Sequence, residues 1–296
     1  MKDKNPFAQP QQLACWQLHC ANITPNLIDE LHIHEAIIAI SQPTLHNPDR
    51  LHCYCDSACS EDMLRDYINN VSAICGANII IENVKTVKQQ DWVAQTQADF
   101  PQMQVGRFHI IGSHHSAQHG KYCLRMDAGA AFGTGEHATT SGCLQAIDGL
   151  LKKQHFHHVL DMGCGTAILG MAVAKAQKAK TVVVDNDDVA VNVARDNIAK
   201  NMLSNYVTAL YSEGFKDPYI DECAPYDMVV ANILAKPVRQ MAKDIARIVA
   251  KNAAVILSGF YVRDSRYILN YYSYFGMKCE KMIENNGWAT LILRAK

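Results

Sequence analysis

A chain of 296 residues exceeds what most single hydrophobic cores accommodate, and fits two domains or one large domain with an appendage. With 49% hydrophobic residues it can bury a substantial core, which excludes wholesale disorder. The formal net charge of -1 provides no long-range attraction to a nucleic-acid backbone, so the expected partner is a protein or small molecule and no direct nucleic-acid binding is expected.

The opening residues MKDKNPFAQPQQ lack the apolar run of a secretory signal. No stretch approaches the roughly 18 uninterrupted apolar residues that a membrane helix requires, so no membrane association is expected. A cytoplasmic setting follows as an expectation, with the 11 cysteines reduced. Cys53, Cys55 and Cys59 match no usual zinc spacing and have no evident fourth ligand, so they read as packing thiols and no metal site is expected.

From Trp16 to about Val84 short strands and helices alternate. CWQLHC (15–20), EAIIAI (35–40), RLHCYC (50–55) and NIIIENV (78–84) read as strands. Between the first two, Thr24 and Pro25 suit the cap and first position of a short helix. Ser60 opens a second helix with acidic residues in its first turn; Met63, Leu64, Tyr67, Ile68 and Val71 recur at helical spacing, and Gly76 closes it. The order is that of a ferredoxin-like α+β unit, assigned to residues 1–88.

Residues 89–125 read as an inter-domain connector. DWVAQTQADF is a short helical stretch ended by Pro101, and VGRFHII and KYCLRMD form a strand pair. The loop between them carries His114, His115 and His119 without accompanying carboxylate or cysteine, which reads as a solvated loop.

Residues 126–296 alternate strand and helix. HHVLDM, TVVVD, YVTALY, DMVVANIL and AAVILSG are near-continuous apolar strands separated by helices, the pattern of a parallel sheet covered on both faces. The tail differs: MKCEKMIENNGWATLILRA reads as an antiparallel hairpin turning at Asn285-Asn286-Gly287. A parallel α/β sheet closed by a reversed terminal strand is the outline of a class I methyltransferase, with a Rossmann-like seven-stranded sheet.

Four elements carry the candidate chemistry. In Asp161-Met-Gly163-Cys-Gly165-Thr a buried strand ends, and two glycines let the backbone turn sharply and approach a ligand at the start of a helix. Asp185, at the end of the next strand, can accept both hydroxyls of a ribose, while Asn186, Asp187 and Asp188 are available as helix caps. Asn232 ends the apolar run DMVVANIL, where an unpaired amide costs about 1–3 kcal/mol; it either serves structure or accepts a hydrogen bond from an incoming amine. The fourth, DAGAAFGTGEHATT (127–140), offers hydroxyls and open N–H groups, suited to a ligand carboxylate. His137 there reads equally as a general base or as a structural residue.

In this order and spacing, FGTGEHATT, LDMGCGTAILG, VVVDNDDVAV and VVANIL resemble the PrmA family, bacterial methyltransferases of large-subunit ribosomal protein eleven. The resemblance extends to DWVAQTQADFPQMQVGRFHI, LSGFY and GWATLIL and covers about Asp91 to Lys296. Trp16 to Val84 matches only in strand–helix order. It implies a ferredoxin-like domain that docks the ribosomal protein, S-adenosylmethionine as donor, and lysine side chains and an α-amino group as acceptors. It also implies cofactor contacts at Thr140, Gly163, Asp185 and Asn232. Gly165 joins them as the second glycine of the turn, and Asn232 is the expected catalytic residue of what is expected to be a monomer.

The chain departs from the family at Ala128 and Ala138, where proline is common, at Ala167, where another glycine is usual, and near Ser113, where a proline is expected. A methyltransferase of the same architecture acting on another protein's lysines, and a non-catalytic adenosyl-binding module associated with the ribosome, remain alternatives.

Overall fold

Four antiparallel strands carry the first of two units, Met1–Thr96. They are β1 (Gln12–Ala21), β2 (Ile37–Ile40), β3 (Arg50–Asp56) and β4 (Asn78–Lys88), ordered β2-β3-β1-β4, as a ferredoxin-like sheet requires. Helix α1 (Glu61–Cys75) starts with Glu61 and Asp62 in its first turn and ends before Gly76, whose φ is 61°. Its buried residues are Leu64, Ile68 and Val71; Met63, expected on the same face, is instead 61% exposed. They pack with Trp16, Leu18, Leu51 and the helical residues Leu27 and Leu31. Cys53 and Cys55 lie in this core, and burial pushes the Cys53 thiol well above its ordinary range.

The computed structural model describes residues 12–21, 23, 27, 31, 37–40, 49–56, 61–88, 103–112, 122–126 and 138–296. Several expected features therefore lie outside the described residues: the Thr24–Pro25 cap, Ser60, Cys59, the 91–100 helix, the histidine loop at 113–120, and the glycine-rich segment 127–137 with His137.

The second unit, Gln97–Lys296, contains a small sheet of β5 (Met103–Val105), β6 (Phe108–Gly112) and β7 (Cys123–Met126). VGRFHII, expected as one strand, is broken at Gly106, whose φ of 58° turns the chain between β5 and β6. β6 and β7 do pair, in parallel. Val105, Phe108, Ile110, Leu124 and Met126 are buried in the same core as the large sheet's first face.

That large sheet has seven strands, β8 (His158–Met162), β9 (Lys180–Asp185), β10 (Val207–Tyr211), β11 (Tyr226–Asn232), β12 (Val249–Tyr261), β13 (Met277–Asn285) and β14 (Trp288–Ala295). Their order is β10-β9-β8-β11-β12-β14-β13. The first five run parallel, and β14 pairs antiparallel with both β12 and β13. This is the Rossmann-like sheet with a reversed terminal hairpin that the sequence pattern led us to expect. Asn286 and Gly287, with φ of 49° and 80°, make the hairpin turn.

Alternation along β11 shows why its middle, 228–231, is apolar. Val230 belongs to the core on one face of the sheet, and Val229 and Ala231 to the core on the other. Helices α2 (Ala138–Leu151), α3 (Ile168–Gln177) and α4 (Asp188–Lys200) contribute to the first core. Helices α6 (Ala235–Gln240), α7 (Ala242–Ile248) and α8 (Val262–Tyr274) contribute to the second, as does the short α5 (Pro218–Glu222) through Ile220. Among the described residues no helix is long and apolar enough to cross a membrane.

Candidate functional site

Three neighbouring strands set the site, because parallel pairing aligns their carboxyl ends. Met162 of β8 lies opposite Val184 of β9 and opposite Ala231 of β11. One step further along each strand come Gly163, Asp185 and Asn232, so the three sequence-selected positions follow at one level of the sheet's edge. Ligands of open α/β sheets bind at this edge, where connections on either side of a strand diverge.

The turn after β8 is held by backbone hydrogen bonds to the neighbouring strand. The N–H groups of Gly163 and Cys164 both donate to the Val184 carbonyl, at 2.8 and 2.9 Å. Three residues of this turn have positive φ: Gly163 at 67°, Gly165 at 52° and Ala167 at 63°. Ala167 is a left-handed alanine with a fully buried side chain, at the N-cap of α3. A position where the resembling family usually carries glycine thus keeps the glycine-type backbone, at a steric cost of about 1–2 kcal/mol.

Asp185 is tied to the same turn. Its Oδ2 accepts from the Gly165 N–H at 2.8 Å and its Oδ1 from the Asp187 N–H at 3.2 Å. It is not the cap of α4: the Asp187 side chain takes that place, accepting from the Val189 N–H at 2.9 Å. Each Asp185 oxygen keeps lone pairs for a further donor, such as a ribose hydroxyl.

Asn232 and Thr140 meet across the site. The Asn232 side-chain Nδ2 donates to the Thr140 hydroxyl at 3.3 Å, and Thr140 is fully buried in the first turn of α2. The Asn232 Oδ1 is buried and has no partner among the described residues. A buried carbonyl oxygen left in this state costs about 1–3 kcal/mol, and a donor placed here would relieve that cost. The terminal hairpin braces the same helix start, because Asn285 Nδ2 donates to the Ala138 carbonyl at 3.2 Å.

Two features beneath the edge carry chemistry not assigned from the sequence. Asp161 is wholly buried; its Oδ2 accepts from the Gly170 N–H at 2.8 Å, while its Oδ1 has no partner among the described residues. Desolvation raises its pKa to about 7 against the lowering effect of the Gly170 hydrogen bond, and the Asp185 charge adds to the rise. Beside it, burial pushes the Cys143 thiol up to about 12. Ser258 Oγ donates to the Ala289 carbonyl at 2.8 Å and lies 3.0 Å from the Thr290 hydroxyl. The signal for Asp161 was its position as the last charged residue before the glycine turn; for Ser258 and Thr290 no sequence pattern separates them from ordinary strand residues.

Gly163, Gly165, Asp185, Asn232 and Thr140 are therefore all found at one edge, while the 127–137 segment expected to join them is not among the described residues. The site combines an acidic hydrogen-bond acceptor, a glycine turn before a helix start, and an amide oxygen without a partner among the described residues. Those features fit a sugar-bearing ligand next to a group rich in N–H donors.

Comparison with known proteins gives consistent results. The family described as ribosomal protein L11 methyltransferase (PrmA) matches residues 11–296. A protein of that name from Brucella suis is 32% identical over 236 residues, covering 79% of this chain and 82% of the relative. One from Chelativorans sp. is 35% identical over 206 residues, covering 69% and 71%. The crystal structure of a ribosomal protein L11 methylase from Lactobacillus delbrueckii subsp. bulgaricus superposes with a TM-score of 0.55 at 20% identity, over 65% of this chain and 97% of that one, which is a likeness of fold.

Proposed function

Because this chain belongs to the ribosomal protein L11 methyltransferase (PrmA) family, we propose that it transfers methyl groups from S-adenosylmethionine to amino nitrogens of ribosomal protein L11. The acceptors in this reading are lysine side chains and the α-amino group. Residues 1–88 recognise the ribosomal protein, 89–125 connect, and 126–296 carry out the transfer as a cytoplasmic monomer. The observation that carries the reading is the buried Oδ1 of Asn232, without a partner among the described residues, at the level of Gly163 and Asp185.

The residues present fit the donor. Asp185 would accept the ribose hydroxyls, the turn at Gly163 and Gly165 would let the backbone lie close to it, and Thr140 would hold Asn232 beside the methyl. Bound there, the sulfonium would supply an electrophilic methyl group. What the chain itself must do is bring a neutral nitrogen into line, since only an unprotonated amine has a free lone pair. A free lysine has a pKa near ~10.4, so its proton must leave to solvent before transfer. Asn232 Oδ1 accepts an N–H of the neutral amine and turns the lone pair toward the methyl carbon. With the donor held there, the N–C bond would form as the C–S bond breaks, and the methylated nitrogen would give its excess proton to solvent. Asn232 takes no proton; its contribution is alignment.

Incubation with methyl-labelled S-adenosylmethionine and ribosomal protein L11 tests the proposal. Label on lysines and the amino terminus of L11 is expected. Label only on another protein of a cell lysate would move the substrate elsewhere, and label nowhere would leave a binding module.

A further inference from the structure

Ile233, the residue after Asn232, lies against two glycines, Gly163 in the turn after β8 and Gly259 in β12. A Cβ built on Gly163 would overlap Ile233 Cγ2. A Cβ built on Gly259, in β12, would overlap the backbone of Ile233, lying 2.6 Å from its carbonyl carbon and 2.8 Å from its nitrogen. Both glycines have positive φ, 67° and 92°. The Ile233 N–H donates to the Ser258 carbonyl at 3.1 Å, so its backbone is also fixed along β12. Side chain and main chain of one residue thus fill the two hollows that the missing Cβ atoms leave.

We propose that Ile233 is a positioning residue, clasped by Gly163 and Gly259, that couples the glycine turn of the donor site to the orientation of the Asn232 amide. Asn232 follows Val230 on the face of β11 that meets α2, and Ile233 follows Ala231 on the opposite face, where it packs against the second core. Fixing Ile233 fixes the pitch of the strand end and with it the direction of the neighbouring amide. A β-branched side chain suits the task, since its χ1 is restricted and Cγ2 stays in the Gly163 hollow. The link from Asn232 to α6 is only Ile233 and Leu234, so the Ile233 backbone sets how the chain leaves the strand.

The inference rests on the proposed role of Asn232 for its catalytic part alone, and the test separates the two. Ile233→Val keeps Cγ2, whereas Ile233→Leu keeps volume but removes the branch and Ile233→Ala removes both. Affinity for S-adenosylmethionine by calorimetry, melting temperature, and kcat on L11 are measured for each, and again with Gly163→Ala added. The Val variant should match the parent in affinity and kcat. The Leu and Ala variants should weaken affinity several-fold and lose about ten-fold or more in kcat, as misplacement of an aligned group does. Gly163→Ala should lower the melting temperature less in the Ile233→Ala background than in the parent or in Ile233→Val. If Leu and Ala leave affinity unchanged and the Gly163→Ala loss is the same in every background, the clasp is overturned, whatever the turnover shows. If the parent labels no L11 yet the melting coupling and the Val-versus-Leu difference in affinity appear, the clasp stands and the proposed substrate fails.

Discussion

The Asn232 amide donates to the Thr140 hydroxyl at 3.3 Å, joining two residues 92 positions apart and leaving the amide oxygen buried without a partner among the described residues. One hydroxyl thereby fixes which end of the amide it engages, and under the proposed function the other end is left for the reacting nitrogen.

Asn232→Ala should lower kcat about 100-fold or more, the range seen when a preorganised hydrogen-bonding group is removed from an active site. Affinity for S-adenosylmethionine should change only a few-fold. Single-turnover kinetics with calorimetry on the same variant separates the effects, and an unchanged kcat would end the assignment.

Thr140→Val keeps the shape of a fully buried side chain but deletes the acceptor that holds Asn232. Freed from it, the amide can rotate, and a fall in kcat of about five-fold is expected, in line with one hydrogen bond of ~1 kcal/mol. Thr140→Ser should restore turnover, which a loss of packing alone would not permit.

For Asp185→Ala the expectation is reversed. Donor affinity should weaken about 10- to 100-fold, since hydrogen bonds to a charged acceptor are worth ~1.5–3 kcal/mol, while kcat at saturating donor falls much less. The variant also strips an acceptor from the Gly165 and Asp187 N–H groups, so a lower melting temperature should accompany it.

Ala167→Gly should be nearly neutral, within about 1 kcal/mol. Relief of a left-handed alanine offsets the loss of one buried methyl and the freer unfolded chain. Ala172→Gly, inside the same buried helix, lacks the relief and should cost about 2 kcal/mol. Urea unfolding of both variants provides the comparison; equal losses would show that the turn carries no such strain.

Asp161 should make stability depend on pH. Its folded pKa is raised to about 7, above the unfolded carboxylate value, so the folded state holds a proton that the unfolded chain has lost. That stabilisation is full below about pH 4 and disappears as pH rises through about 7. Asp161→Asn keeps an acceptor for the Gly170 N–H and cannot titrate. The parent should therefore lose more than about 1 kcal/mol relative to the variant between pH 4 and pH 8. Parallel stability curves across that range would show that Asp161 titrates normally.

Much of this was legible before any coordinates. The central stretches of β8, β9, β11 and β12 (159–160, 182–184, 228–231 and 253–257) are buried and apolar, because the sheet is covered on both faces. A polar residue directly after such a stretch, Asp185 or Asn232, stands out. The Asn286-Gly287 turn was equally plain, because few residue pairs tolerate two consecutive positive φ values. Other features had no local signature. Met63 falls on the helical repeat yet faces outward, since periodicity selects a stripe and the neighbouring core decides its width. The break in VGRFHII at Gly106 was missed, because one glycine within an apolar run fits a strand or a turn equally well.

By itself the sequence determined the repeating order of strands and helices, the residues at the strand ends and the family, since these follow from hydrophobic period and short linear motifs. Only the tertiary structure decided that Thr140 holds Asn232, that Asp161 is desolvated beside Asp185, and that Ile233 fills the hollows of Gly163 and Gly259. Those relationships depend on which atoms meet across the sheet edge and on how little water reaches them. Both are set by packing between distant segments, and no local stretch of chain encodes them.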